Sequence, residues 1–244
     1  MDIRRIIYEE YNKILKEIKF QPQNTSTRVP VSRAAKNLVK YLGLEKKYPS
    51  QLYTLDELKK MDLSDKLINL DWGGGKFDET SLFLSSYGII NLIVDPYARG
   101  EGYTSEVVNI LNEKKNGKAD FVTLSNVLNV LPDNEEMNII KNWILRDLGK
   151  AHYDEFVDSL KYFKSRSEAL KDAYDYLKPG GVMVLTVYEK TRCNTNLEDK
   201  YKFLLKSKGK WQECKKLEKY IPLIEKTLPG VSIEKYKRGF ILKK

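Results

Sequence analysis

A chain of 244 residues with 41% hydrophobic and 32% charged residues is long enough to bury a core without staples, has the balance of a globular protein, and contains no apolar run of membrane-span length. Two cysteines, Cys193 and Cys214, and one histidine, His152, are too few for a disulfide framework or a histidine-rich metal site, so no metal is expected. The net charge of +9 is uneven: residues 1–50 carry 11 Lys/Arg against 5 Asp/Glu, residues 51–189 carry 16 against 23, and residues 190–244 carry 16 against 6, so basic ends flank an acidic middle, which suits a polyanionic partner and equally a solvated lysine-rich surface.

Met1-Asp2-Ile3-Arg4-Arg5 leads into Tyr-Glu-Glu and not into an apolar core, so no secretory signal and a cytoplasmic location are expected. Ile3, Ile6, Ile7, Ile14, Leu15 and Ile18 recur at helical spacing and predict an amphipathic helix over 2–19. Pro22, Pro30 and Thr25-Ser26-Thr27 make 20–31 a loop. Ser32 is an N-cap for a helix running to Leu42, where Gly43 stops it, and Thr54 with Glu57 has the spacing of a capping box for a third helix. Residues 1–62 are therefore expected to form a helical cap, followed by the main domain over 63–244.

From there the pattern alternates. Strands are predicted at 66–71, 89–95, 119–124 and 182–187, with a helix-length stretch from Phe77 to Tyr87 and a further strand at 107–111. Lys178-Pro179-Gly180-Gly181 reads as a helix stop and turn before the last of these. Strands alternating with helices imply an α/β fold, Rossmann-like, with a mostly parallel sheet covered on both faces. Two or three helical segments between Pro132 and Lys178 exceed one crossover and predict an insertion over 133–176. Val231–Tyr236 and Phe240–Leu242 flank Lys237-Arg238-Gly239 as a closing hairpin.

The chemistry-bearing constellation sits at the first two strand ends. Gly73, Gly74 and Gly75 directly after a strand let backbone approach a ligand that a Cβ would obstruct. Asp95, at the end of the next strand about 20 residues on, can accept hydrogen bonds from both ribose hydroxyls of an adenosine. A nicotinamide enzyme shares that arrangement, but its third fingerprint glycine falls on Asp78, whose carboxylate would repel a pyrophosphate.

Asp71-Trp72-Gly73-Gly74-Gly75, Asp95 and Leu177-Lys178-Pro179-Gly180-Gly181 together resemble motif I, the motif II acid and the turn before the fifth strand of class I S-adenosylmethionine-dependent methyltransferases, over residues 66–189. The resemblance implies a seven-stranded sheet with the antiparallel hairpin at its far edge, and S-adenosylmethionine as cofactor. It places the cofactor against Asp71, Trp72, Gly73, Gly74, Gly75, Asp78, Asp95, Pro96 and Tyr97, with Ser125, Asn126 and Val127 lining the adenine pocket. Asn126, Asn129, Tyr188 and Glu189 fall where the family positions its acceptor, and they are the candidate catalytic residues. Phe77 departs from the pattern where many members have a third glycine. Ser125-Asn126-Val127-Leu128-Asn129-Val130-Leu131-Pro132, Trp211-Gln212 and Tyr220-Ile221-Pro222 are similar, more narrowly, to small phage and mobile-element methyltransferases of unassigned substrate.

The same resemblance argues against standard DNA base methylation. The [DNS]-P-P-[YF] position of amino-methyltransferases reads Ser125-Asn126-Val127-Leu128, and neither cysteine follows a proline. The expected acceptor is a nucleic acid or nucleotide, held by Arg28, Arg33, Lys206, Lys208, Lys210 and Arg238 of the basic ends. Trp211 reads first as a packing residue and second as a base-stacking platform, and His152 first as a surface or helix-terminal residue. A small-molecule or protein acceptor stays open, as does a noncatalytic subunit keeping the fold; no membrane partner is expected, and the chain is expected to be a monomer or weak homodimer.

Overall fold

The computed structural model describes residues 19–22, 31–161, 163–189 and 196–244. All but the last residue of the predicted helix over 2–19, most of the predicted loop with Arg28, and Cys193 lie outside the described residues. In chain order the first helices are α1 (Arg33–Tyr41) and α2 (Leu55–Lys60), followed by β1 (Leu67–Trp72), α3 (Glu79–Ser85), β2 (Ile89–Val94), α4 (Pro96–Arg99), α5 (Glu101–Lys115) and β3 (Ala119–Ser125). Three helices follow, α6 (Asn134–Leu148), α7 (Lys150–Ser159) and α8 (Arg166–Asp175), then β4 (Leu177–Thr186), α9 (Leu197–Lys206), α10 (Ile221–Thr227), β5 (Ser232–Tyr236) and β6 (Gly239–Lys243).

The chain divides into two compact units. One holds the described residues of Asn24–Val127, Glu168–Tyr188 and Lys216–Lys244, the other those of Met1–Gln23, Leu128–Ser167 and Glu189–Lys215. This division does not follow the boundary at residue 62, because α1 and α2 group with the sheet.

The sheet unit is built on six strands in the order β2-β1-β3-β4-β6-β5. The first four are parallel, and β6 runs antiparallel to both β4 and β5. It is a mixed α/β sheet with the expected antiparallel hairpin and, among the described residues, one strand fewer than the seven implied by resemblance. The strand expected at 107–111 is the correction: those residues lie inside α5, where Val107, Ile110 and Leu111 are buried as one helical face. Their spacing of three and four residues outweighs the β-branched composition, and Asn116, left-handed at φ 51°, ends the helix. Lys178-Pro179-Gly180-Gly181, expected as a turn, is the irregular opening of β4, where pairing with β3 slips between Ala119 and Phe121.

The caps fall where the residues dictate. Ser32 Oγ accepts from Ala35 N at 3.1 Å, and Thr54 and Glu57 form the reciprocal capping box. Ala34, Ala35, Leu38 and Val39 of α1 pack with Leu84, Ile89, Phe121, Val184 and Ile241 in the sheet unit's core. Small residues on α1 let the helix lie close to the sheet.

In the helical unit Met137, Ile140 and Ile144 form the inward stripe of α6 and pack with Phe20, Phe156, Tyr201, Leu204 and Trp211. Two short parallel strands, Gln21–Pro22 and Lys210–Trp211, belong to it as well. The helical insertion expected over 133–176 thus gathers residues from 189–215, while most of α8 remains with the sheet as the crossover into β4.

Candidate functional site at the glycine loop

The loop Gly73–Asp78 leaves the carboxyl end of β1, the end at which open parallel sheets bind ligands. Its entry is fixed by Gly73 N donating to Val94 O at 2.7 Å. Gly73 has φ +72°, and a β-carbon there would stand 2.4 Å from Val127 Cγ2; one on Gly74 would stand 2.7 Å from Asp71 Oδ2. Glycine is required at Gly73 by conformation and by the loop after β3, and at Gly74 by the acid beneath. Val127, expected near the adenine, is thereby a buried buttress of the loop.

Asp71 is 1% exposed. Its Oδ1 accepts from Thr123 Oγ1 at 2.8 Å, and its Oδ2 has no hydrogen-bond partner. Burial pushes its carboxyl up to about 6, against the pull of the Thr123 hydroxyl, with a further push from the charge of Asp95 and smaller downward pulls from Asn91 and Arg99. Asn69 Nδ2 donates to Thr123 Oγ1 at 2.9 Å and to Asn91 Oδ1 at 2.7 Å, and Asn91 passes the chain on to Ser81 Oγ. A polar ladder therefore runs through the interior of an otherwise apolar sheet and ends at Asp71.

Asp95 is buried just past β2. Its Oδ1 accepts from Tyr97 N at 3.2 Å and Ala98 N at 2.9 Å, capping α4, and its Oδ2 accepts from Gly75 N at 2.9 Å. Burial raises this carboxyl, and the backbone N–H groups of Ala98, Gly75 and Tyr97 restrain the rise. A carboxylate has roughly four acceptor directions. Three are taken, which leaves room for one ribose hydroxyl where the sequence suggested two.

Asp78 is not the free charge that the sequence implied. It stands at the N-cap position of α3 without capping it, and its Oδ1 accepts from Arg99 Nη2 at 2.6 Å. The same guanidinium donates to Gly75 O at 2.8 Å and Phe77 O at 3.2 Å. Arg99 and Thr123 are the residues that sequence reasoning missed; Arg99 stands four residues after Asp95, a helical turn that was legible.

The structure brings together Asp71, Gly73–Gly75, Asp78, Asp95 and Val127. Pro96 and Tyr97 are exposed in α4, and Trp72 packs on Tyr176 at a ring separation of 5.9 Å. Asn126 is exposed and left-handed at φ 62°, with its N–H held by Thr186 O at 2.9 Å, and Ser125 Oγ lies 3.2 Å from Thr186 Oγ1. Tyr188 is half-buried two residues beyond β4. Asn129 and Glu189 fall in the helical unit; Asn129 is buried with its Oδ1 unpartnered, and Glu189 is exposed.

The helical unit has its own buried charges. Arg166 Nη2 pairs with Glu213 Oε2 at 2.7 Å and lies 3.4 Å from Glu136 Oε2, and its Nε donates to Leu131 O at 3.0 Å. Lys200 pairs with Glu136 at 2.6 Å and with Glu213, and Lys215 adds a third cation to Glu213 at 2.6 Å. Burial alone would raise Glu213, but Arg166 and Lys200 outweigh it and hold the carboxyl below its usual range. Trp211 is 0% exposed in this core, under Lys200 Nζ at 5.5 Å, so its packing reading holds and it offers no stacking platform. His152 Nδ1 lies 3.0 Å from Leu148 O, one helical turn back. Among the described residues no group of three or more His, Cys, Asp and Glu is placed to hold a metal ion.

No protein-family model matches the chain, and no curated protein matches it. Solved structures do. An O-methyltransferase family protein from Burkholderia thailandensis is 13% identical with a TM-score of 0.40, covering 98% of this chain and 68% of its own. Human N-acetylserotonin methyltransferase, solved with S-adenosylmethionine, is 15% identical with a TM-score of 0.38, covering 99% and 67%. Phosphoethanolamine N-methyltransferase 2 of Haemonchus contortus, also solved with that cofactor, is 14% identical with a TM-score of 0.38; the match covers 69% of this chain and 34% of that enzyme.

Proposed function

We propose that this chain is an S-adenosylmethionine-dependent methyltransferase that holds its cofactor over Gly73–Gly75. The observation that carries the reading is negative charge beneath the loop that Arg99, shared with Asp78, offsets only in part. Asp71 Oδ2 is buried with no partner, Asp95 is buried nearby, and the guanidinium at the loop, Arg99, is engaged by Asp78. A ligand carrying an ammonium and a sulfonium suits such a field, and a pyrophosphate does not. The discrimination that the sequence assigned to Asp78 rests instead on Asp71 and Asp95, since Arg99 neutralises Asp78. The helix after the loop has only seven residues and opens on Asp78-Glu79, which makes it a poor phosphate anchor.

When bound, the cofactor supplies a methyl group activated by its sulfonium leaving group. The chain's residues then orient and exclude water. Asp95 has one acceptor direction left for a ribose hydroxyl, and Ser125 and Asn126 border the adenine side. Asn126 and Tyr188, just past the carboxyl ends of the neighbouring strands β3 and β4, are candidates for holding the acceptor. Asn129 and Glu189, expected in the same role, belong to the helical unit and are left out of this proposal. Positioning alone supplies up to about 7–11 kcal/mol for such a displacement, so a general base is dispensable.

The acceptor is proposed to be a small molecule. The nucleic-acid reading loses its stacking platform to the burial of Trp211, and its basic residues divide between units, with Arg33 and Arg238 in one and Lys206, Lys208 and Lys210 in the other. The narrower likeness to phage and mobile-element methyltransferases rests on the three segments quoted for it. A cytoplasmic location and a monomeric or weakly dimeric state belong to the same proposal; no helix among the described residues is long and apolar enough to cross a membrane. Calorimetry with S-adenosylhomocysteine, S-adenosylmethionine and NAD tests the core of it. Binding of the first two without NAD is expected, and binding of NAD alone would overturn it. Salt-dependent binding of RNA between 50 and 200 mM salt would restore the nucleic-acid acceptor.

A further inference from the structure

The four-residue helix α4 does more than follow Asp95. Its cap residue and its last residue hold Gly75 through the two peptide groups that flank it, since Asp95 Oδ2 accepts from Gly75 N and Arg99 Nε donates to Gly75 O, at 2.9 and 2.8 Å. Arg99 Nη2 continues to Phe77 O and Asp78 Oδ1. One side chain thereby fixes residues 75, 77 and 78 of a loop whose three consecutive glycines have the most backbone freedom to lose. The arginine is itself fixed. Arg99 N donates to Asp95 O at 2.9 Å, its guanidinium lies 5.2 Å from the ring centroid of Tyr103, and its side chain is 13% exposed.

We propose that Arg99 is a positioning residue that sets the conformation of the glycine loop before any ligand arrives. Its effect on cofactor affinity rests on the methyltransferase reading; its effect on the loop does not, because every bond involved joins two groups of the protein itself. The competing explanation is an ion pair with Asp78 that merely adds stability. The two differ in what the guanidinium must do. A planar fork spans two carbonyls and a carboxylate at once, whereas a lysine ammonium supplies the charge for Asp78 without that geometry. Arg99 and Asp78 also line a cavity of about 150 Å³ together with Tyr103, Ser81 and Asn91, so truncation at Arg99 enlarges a space that a free guanidinium ion can enter.

The test compares Arg99→Ala, Arg99→Lys and Asp78→Ala by hydrogen exchange of the 73–78 segment without ligand and by calorimetry with S-adenosylhomocysteine. Loss of two or three such bonds predicts exchange faster and affinity weaker by about tenfold or more in both arginine variants, with Asp78→Ala changing each far less. Millimolar guanidinium is expected to restore affinity to Arg99→Ala and leave the parent unchanged, a rescue that a stability defect would not show. Should Arg99→Ala fail to fold, Arg99→Lys carries the comparison. Parent-like exchange and affinity in Arg99→Lys would reduce Arg99 to an ion pair and overturn the proposal. A parent that binds no S-adenosylhomocysteine would overturn the methyltransferase reading instead, and exchange in the ligand-free variants would still decide the role of Arg99.

Discussion

In the helical unit Glu213 is fully buried and faces three cations, and its carboxyl is held below its ordinary range; in the sheet unit Asp71 is equally buried, has the Thr123 hydroxyl, the Asn91 amide and the weaker pull of Arg99, and rises to about 6. Burying an ion is expensive in either case. Around Glu213 the protein supplies the compensation itself, and the network closes on its own residues. Around Asp71 it leaves an oxygen without a partner directly under a loop that glycine keeps open. A completed network reads as architecture, and an incomplete one at a strand's carboxyl end reads as a place where something else brings the missing charge.

That contrast breaks most easily at Glu213. Glu213→Ala leaves two buried cations, Arg166 and Lys200, sharing Glu136, and urea unfolding should show a loss of about 3–5 kcal/mol. Replacing Arg166, Lys200, Glu213 and Glu136 together by apolar residues of similar volume should cost less than the single change, because only partly exposed charges such as Lys215 then lose a partner. If Glu213→Ala loses under about 1 kcal/mol, the network is not structural and the comparison fails.

Next in size is Gly73→Val. A side chain there takes a left-handed backbone and collides with Val127, so it should destabilise by about 2–4 kcal/mol, the sum of a strained conformation and overpacking. The sequence implied that a β-carbon there obstructs a ligand; the buttress at Val127 adds a stability effect. Val127→Ala in the same background should recover the collision part and leave the backbone part, as thermal melts would show.

Asp71→Asn sharpens the comparison through pH. Folding raises the Asp71 pKa from 3.8 to about 6, so the folded state holds that proton more tightly than the unfolded chain. This stability is fully present below about pH 4 and is lost as pH rises through 6. The parent should therefore lose on the order of 2 kcal/mol relative to Asp71→Asn between pH 4 and 7, measured by denaturation at fixed pH values. Parallel pH profiles would mean that Asp71 has found compensation after all. The smallest effect is expected at Trp211, whose Nε1 is buried without a hydrogen-bond partner. Trp211→Phe gives up no hydrogen bond and should cost under about 1.5 kcal/mol.

Much of the sheet unit was legible because its signals are local. Alternating apolar runs marked the strands, Ser32 and the Thr54–Glu57 pair marked two helix starts, and Lys237-Arg238-Gly239 marked the hairpin. The segment at 107–111 misled because β-branched residues on a buried helical face look like a short strand until their spacing is weighed. At the site, Asp71, the glycines and Asp95 stand at recognisable offsets. Their electrostatics were not readable, since the neutraliser of Asp78 lies 21 residues away at Arg99 and the partner of Asp71 lies 52 away at Thr123. The helical unit was least legible: its core draws on Phe20, α6, α7, α9 and Trp211, segments joined only by the fold.

The central claim is that Asp71 and Asp95 keep negative charge that Arg99, shared with Asp78, offsets only in part and that a cationic cofactor offsets further. It is tested most directly by calorimetric titration of S-adenosylmethionine near pH 6 in two buffers of different ionisation enthalpy. A cation bound over the loop favours the ionised acids, so binding should release protons, and Asp71→Asn should diminish the release. Binding with no proton release, or with uptake, would contradict the claim.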